Sequence, residues 1–198
     1  MKKTLYLMRH GQTLFNLQHK IQGWCDAPLT PLGIKQAQMA KEYFTNITLD
    51  HAYASTSERA SDTLEIITDM PYTRLKGLKE WNFGAFEGKD ECLNPKLPYG
   101  DFFKQFGGEG ELELRERMNK TLTEIMGKND HQVVLAVSHG AACAQFYRAC
   151  QRKGRLGQVK SLGRAGDAFF LRDGQNIAQL VPVHTAPPFH KKNLWILS

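Results

Sequence analysis

No stretch of this chain is apolar for long enough to cross a bilayer, which takes about 20 consecutive residues. The N-terminal MKKTLYLMRHG holds only a short apolar run, cut at Arg9 before it reaches the length of a signal-peptide core. A secretory leader is therefore not read here, and a cytoplasmic location is expected. Cysteine is scarce: Cys25, Cys92, Cys143 and Cys150 stand apart, with no C-x-x-C pair and no histidine cluster beside them. That excludes a disulfide scaffold and a legible metal-ligand motif, and it reads as reduced, partly buried thiols. No metal and no cofactor are expected. Zinc-finger spacing, a basic-region helix and RNA-binding aromatic signatures are all missing, so nucleic acid is not an expected partner. Internal repeats and domain linkers are absent too.

What remains is an ordinary globular composition. Of 198 residues, 41% are hydrophobic and 23% charged, enough to bury a core without a metal or disulfide staple. The expectation is one domain over residues 1–198. The net charge of +6 favours anionic ligands. Its one cluster, Arg148, Arg152, Lys153 and Arg155, reads as a solvated helical face and loop.

The apolar run Thr4 to Met8 reads as a first strand. Thr30-Pro31 opens a helix, as N-cap and first-turn proline, with apolar positions Leu32, Ala37, Ala40, Tyr43 and Phe44. His51 to Ala54 is a second strand, and Ser57 to Met70 a helix stopped by Pro71. Tyr72 to Leu78 is a third strand. Residues 84–110 form a long glycine- and aromatic-rich insertion of the kind that serves as a lid or binding loop. Glu111 to Lys128 is a helix with a stripe of Leu114, Met118, Leu122, Ile125 and Met126. Val133 to Val137 is a buried strand, followed by a helix to about Gln151. Ala168 to Leu171 and Ile177 to Val181 are expected to pair as a hairpin about Asp173-Gly174, with Leu194 to Leu197 packing back. Strands alternating with helices predict an α/β fold: a three-layer αβα sandwich, its central sheet mostly parallel.

In such sheets ligands bind beyond the carboxyl ends of the strands. Four expected strands end near a chemically capable side chain. The first ends at Arg9-His10-Gly11, the second leads to Arg59, the third to Glu80, and the fourth ends at Ser138-His139-Gly140. Any one of these residues alone is unremarkable as a strand-end histidine, a surface arginine or a loop carboxylate. Four together are hard to explain by packing. Guanidinium forks match phosphate oxygens, neutral imidazole is a nucleophile, and glycines with helix N-termini let the backbone approach an anion. This set suits phosphoryl transfer, where catalysis is positioning and charge stabilisation. A ring of cations should hold His10 neutral, whereas His139, facing a phosphate dianion, is expected to keep its proton. His19, His51, His131, His184 and His190 lack such a context and read as surface or structural residues.

These residues also sit in longer matches. Arg9-His10-Gly11-Gln12-Thr13 with Asn16 resembles the R-H-G-x-T-x-x-N signature of the histidine phosphatase superfamily, the phosphoglycerate-mutase-like proteins. Gly23-Trp24 with Asp26, Pro28 to Gly33, Arg59-Ala60 with Thr63, Glu80 with Phe83-Gly84 and Glu87-Gly88, and Ser138-His139-Gly140 resemble the rest of the pattern in order. The resemblance implies that His10 is the nucleophile and becomes phosphohistidine. It implies that Arg9, Arg59 and His139 hold the phosphoryl oxygens, with Asn16 and Gly140 beside them, and that Glu80 is the general acid and base. Gln22 and Gly23 would line the substrate mouth. The implied activity needs no metal and takes a small phosphorylated substrate.

The same pocket serves phosphatases and mutases. Mutase acid loops resemble E-R-x-Y-G-x-L-x-G-L-N-K, whereas Glu80-Trp81-Asn82-Phe83-Gly84-Ala85-Phe86-Glu87-Gly88 lacks that Arg and Tyr and looks like the phosphatase branch. A mutase is the alternative reading. A non-catalytic phosphate- or phosphoprotein-binding module is a second, disfavoured because both His10 and Glu80 are present. Where the phosphatase branch commonly carries Gly-Gly-Glu-Ser, this chain has Gly107-Gly108-Glu109-Gly110, a change expected to weaken a helix N-cap by ~1 kcal/mol. The aromatics Phe83, Phe86, Tyr99, Phe102, Phe103 and Phe106 are expected either to cover the pocket or to form a local core.

Overall fold

The computed structural model describes residues 3–152 and 171–172. Strand β1 (Thr4–Arg9) leads through a single-turn helix α1 (Leu14–Leu17) to α2 (Pro31–Phe44). Then come β2 (His51–Ser55), α3 (Glu58–Ile67) and β3 (Tyr72–Leu75), three-residue and longer 3-10 turns between residues 76 and 106, α4 (Glu111–Gly127), β4 (Val133–Ser138) and α5 (Gly140–Arg152). A two-residue β5 (Leu171–Arg172) pairs antiparallel with β1 at Leu5 and Thr4. The sheet order is β3-β2-β4-β1-β5, and β1 to β4 are all parallel.

Alternation along the strands builds the two outer layers. Leu5, Leu7, Tyr53, Val134 and Ala136 pack with Leu114, Met118, Leu122, Ala142 and Phe146 of α4 and α5. Met8, Ala52, Ala54, Leu135 and Val137 face Ala40, Phe44, Ala60, Leu64 and Ile67 of α2 and α3. Period-two strands between period-3.6 helices give the expected αβα sandwich.

Several boundaries move for physical reasons. Helix α3 stops at Ile67 because Thr68 is already extended, three residues ahead of Pro71. The third strand ends at Leu75, not Leu78. The chain leaves the sheet edge there in a 3-10 turn that buries Leu78 and brings Gly77 against α4, where a β-carbon would lie 2.0 Å from Thr121 Oγ1. In α2 it is Gly33, not Leu32, that faces inward; Leu32 is exposed, and Gly33 packs against the Gln12 backbone beside His10. Of the expected C-terminal hairpin only Leu171–Arg172 is described. Its turn, its second strand, the segment at 194–197, and His184 and His190 lie outside the described residues.

Gly110 is the N-cap of α4 and has no side-chain cap. The Glu113 carboxylate closes on its N–H instead, at 2.8 Å. Glycine is tolerated at N-caps, so the missing serine costs only a few tenths of a kcal/mol, less than the ~1 kcal/mol expected from sequence. A β-carbon there would also meet Asp101 Oδ1 at 2.2 Å.

Candidate active site

Because β1 to β4 are parallel and adjacent, their carboxyl ends share one edge of the sheet. Arg9 ends β1 with His10 next to it, Arg59 lies in the first turn of α3 after β2, and His139 links β4 to α5. Glu80 reaches the same place after the 3-10 turn that follows β3. The arrangement brings all five residues together.

His10 is 3% exposed. Its Nδ1 lies 2.7 Å from the Gly11 carbonyl, which can only accept. The ring proton therefore sits on Nδ1, and Nε2 is the unprotonated nitrogen, which accepts from Arg59. Burial, then Arg59 and Arg9, push the His10 pKa well below the usual histidine value, so the ring is neutral near pH 7. The predicted cation ring is the second cause; burial is the first.

Arg59 is completely buried and uses every nitrogen. Nε donates to His10 Nε2 at 3.2 Å, Nη1 to Cys25 O and Asp26 Oδ1 at 2.9 Å each, and Nη2 to Gly23 O at 2.8 Å and His139 Nδ1 at 2.9 Å. One guanidinium thus ties together both imidazoles and the 23–26 segment. Thr63, one turn along α3, accepts from Gly11 N–H at 3.0 Å and donates to the Arg59 carbonyl, locking the loop after His10 to the same helix.

With Nδ1 accepting from Arg59, the proton of His139 is on Nε2, which is buried and has no partner. Burial and the Arg59 charge lower its pKa well below the usual value. Burial and Arg59 thus favour a neutral His139 ring, while the expectation of a protonated ring concerns the site with a phosphate dianion opposite it. The neutral ring can still donate from Nε2. Arg9 Nε and Gln22 Nε2 are likewise buried without partners, and Arg9 lies flat against Gly140, with Nε 3.4 Å from where a β-carbon would sit. Each orphaned donor costs free energy unless an acceptor arrives.

Glu80 is held by three backbone N–H groups: Trp81 and Ala142 on Oε1, both at 2.9 Å, and Ala141 on Oε2 at 3.0 Å. Two of them belong to the first turn of α5, where free N–H groups suit a carboxylate. The Glu80 backbone is braced from outside. Arg117 of α4 donates to the carbonyls of Gly77, Lys79 and Glu80 at 2.8–3.0 Å, and Trp24 Nε1 donates to Glu80 O at 2.9 Å.

The remaining sequence candidates, Asn16, Gln22 and Gly23, lie in the segment that follows His10. Asn16 Oδ1 accepts from Thr13 N–H at 3.2 Å in a capping box, which leaves its NH2 half to meet an anion. Gln22 Oε1 accepts from Thr13 Oγ1 at 2.6 Å, orienting the orphaned Nε2. Gly23 acts through its carbonyl on Arg59, and Trp81 O would lie 2.5 Å from any β-carbon there, so this position admits nothing larger.

Three positioning residues were not assigned roles from sequence. Asp26 pairs with Arg59 and also accepts from the Glu58 N–H at the start of α3. Glu87 accepts from Trp24, Cys25 and Phe83 N–H groups and so joins the 23–26 segment to the acid loop. Arg117 is the third. Asp26 and Glu87 lie inside motif-bearing segments and could have been flagged; Arg117 sits on a polar helix face with no local signal.

The aromatic residues of the insertion form a local core. Phe103 is fully buried, with Phe83, Phe86, Tyr99 and Phe102 edge-on to it at 4.8–5.5 Å. Trp81, the residue after Glu80, is 2% exposed in the same cluster. His131, expected to be a surface or structural residue, is 2% exposed, with Nδ1 2.8 Å from Asp130 and Nε2 2.6 Å from the Tyr53 hydroxyl.

The profile of the histidine phosphatase superfamily (branch 1) matches residues 5–161. A probable phosphoglycerate mutase GpmB of Proteus mirabilis is 31% identical over 153 residues, 70% of each chain. Among solved structures, a phosphoserine phosphatase of Entamoeba histolytica in complex with 3-phosphoglyceric acid is 30% identical, covers 79% of this chain and 87% of its own, and superposes with a TM-score of 0.65. A phosphoglycerate mutase of Bacillus anthracis, 22% identical with 92% of each chain covered, has the same fold at a TM-score of 0.73. With the strand-end residues gathered around His10 and the family profile spanning most of its length, this chain belongs to the histidine phosphatase superfamily.

Proposed function

We propose that the chain is a phosphatase of a small phosphorylated metabolite, working through a phosphohistidine on His10. The observation that carries the reading is the pair of unpartnered buried donors, Arg9 Nε and His139 Nε2, beside an imidazole whose Nε2 carries no proton and accepts from Arg59. A phosphoryl group placed there accepts from Arg9, Arg59 and His139, with Asn16 and Gly140 beside it. His10 Nε2 forms the N–P bond as the P–O bond to the leaving group breaks. Glu80, in its acid form for this half-reaction, gives its proton to the leaving oxygen. In the second half Glu80 takes a proton from water, the water oxygen attacks phosphorus, and the N–P bond breaks to release inorganic phosphate and neutral His10. The donors strengthen as charge develops on the phosphoryl oxygens, a contribution of about 3–4 kcal/mol per donor in comparable anion holes.

Water is favoured as the acceptor by the acid loop. The positions that carry Arg and Tyr in the mutase pattern hold Trp81 and Phe83, 2% and 8% exposed and packed on Phe103. They offer no cation to the carboxylate of a phosphoglycerate. A mutase is the second reading, favoured by the name of the Proteus relative. Hydrolysis of a generic aryl phosphate, beside isomerisation and hydrolysis of 3-phosphoglycerate, separates the two. Isomerisation outrunning hydrolysis overturns the phosphatase reading, and activity surviving His10→Ala overturns the mechanism. The 84–110 insertion, on this reading, walls the pocket through its aromatic core and helps select the substrate.

A further inference from the structure

At the opposite end of the sheet the fold assembles a second cluster of chemically capable side chains. His51 opens β2, and Asp130 and His131 sit in the loop that leads into β4. They are far apart in sequence, but β2 and β4 are neighbours in the sheet. The Asp130 carboxylate lies between the two imidazoles, 3.1 Å from His51 Nε2 and 2.8 Å from His131 Nδ1. The rings stack at 3.7 Å with 17° between their planes, and the three ligand atoms lie within 4.8 Å of one another.

We propose that His51 Nε2, His131 Nδ1 and an Asp130 oxygen form a binding site for one divalent transition-metal ion of the zinc class, with water completing the coordination. Two imidazole nitrogens and one carboxylate are the donor set that suits such an ion, at about 2.0–2.2 Å from each atom. Tetrahedral ligands are then about 3.3–3.6 Å apart. Stacked rings aim their lone pairs along nearly parallel planes, so the half-exposed His51 ring must swing out of the stack for its Nε2 to converge with His131 Nδ1 and Asp130 on one ion.

The surroundings are those of a prepared site. The carrying backbones are stitched together: Asp50 N–H donates to Val133 O at 2.8 Å, and Asp50 Oδ2 accepts from the N–H groups of Gln132 and Val133 at 2.8 and 2.6 Å. His131 is buried, and its far nitrogen, Nε2, lies 2.6 Å from the Tyr53 hydroxyl. A metal-binding histidine needs such a partner for its other nitrogen. When the ion takes Nδ1, the ring proton moves to Nε2 and donates to the Tyr53 oxygen. Lys128, 3.1 Å from that oxygen, is the cation nearest this second shell. The site lies about 13 Å from the active-site edge, four strand steps of ~3.3 Å along β2. Its ion would therefore brace the amino ends of β2 and β4 and take no part in the chemistry at His10.

The test uses the full chain stripped with a chelator. Zinc(II) titrated by calorimetry should bind with one equivalent at this site and raise the melting temperature, and cobalt(II) should give the visible absorption of a low-coordinate site. His51→Ala and Asp130→Asn should each weaken that equivalent by more than tenfold, and Tyr53→Phe by about 10–100-fold. Aryl-phosphate hydrolysis by these variants should stay at the wild-type rate. The proposal fails if the stripped chain binds no stoichiometric zinc. It also fails if His51→Ala and Asp130→Asn bind it as wild type does, because the ion then sits elsewhere, at His10 and His139 for example. Should His51→Ala not fold, Asp130→Asn decides, since Asp130 is exposed and makes no core contact.

Discussion

Replacing Arg59 with methionine isolates what one buried guanidinium does. The side chain keeps its volume, so no large cavity opens. The carbonyls of Gly23 and Cys25 lose their donor, which costs about 1–3 kcal/mol each for buried acceptors. Asp26 is part-exposed and can be rehydrated. Against this, the native fold no longer desolvates a fully buried cation, which offsets part of that loss although Asp26 is left without its partner. The effects leave a net loss of about 2–5 kcal/mol, inside the ~5–15 kcal/mol of a typical domain, so the variant should fold. Catalysis should fall much further. Arg59 contacts both imidazoles, and loss of one such donor lowers kcat/KM by about 10²–10³. The pH profile should move as well. Arg59 is the second cause, after burial, of the depressed His10 pKa. Removing it raises that pKa, so the acid limb of kcat/KM shifts to higher pH. Aryl-phosphate hydrolysis across acidic and neutral pH, with urea melts of both proteins, measures all three effects. A variant that folds and keeps kcat/KM within tenfold of wild type, or whose acid limb moves to lower pH, refutes the role assigned to Arg59.

Glu80→Gln should lower turnover by about 10²–10⁴ and let phosphohistidine accumulate on an activated aryl phosphate, visible as one added phosphoryl mass in the quenched protein. Glu87→Ala leaves three N–H groups of the 23–26 segment and the acid loop unpaired; a loss of about 2–4 kcal/mol in urea melts, with KM rising, is expected. Stability should fall as pH drops below ~6.5. His10 and His139 have depressed pKa values when folded, so the unfolded chain takes up protons that the folded one refuses, up to about 1.4 kcal/mol per pH unit for each. His10→Asn should remove about half of that slope in melts at successive pH values. Trp81→Arg, which restores the mutase pattern, should destabilise by more than ~3 kcal/mol without gaining isomerase activity, because the new charge enters an apolar cluster.

The sequence by itself determined the αβα sandwich and four of its parallel strands, because alternating apolar residues and helix periodicity are local and strong at Val133 to Ser138 or along α4. It also determined that Arg9, His10, Arg59, Glu80 and His139 meet, since each follows a strand and parallel strands share an edge. Tertiary structure decided what those residues do to one another. No local pattern shows that Arg59 is fully buried between two imidazoles, or that burial leaves His139 neutral with its proton on Nε2, because these depend on neighbours 36 to 80 residues away. Arg117 beneath the Glu80 backbone and the His51–Asp130–His131 cluster were hidden for the same reason: side chains far apart in sequence become neighbours only when β2, β4 and α4 pack.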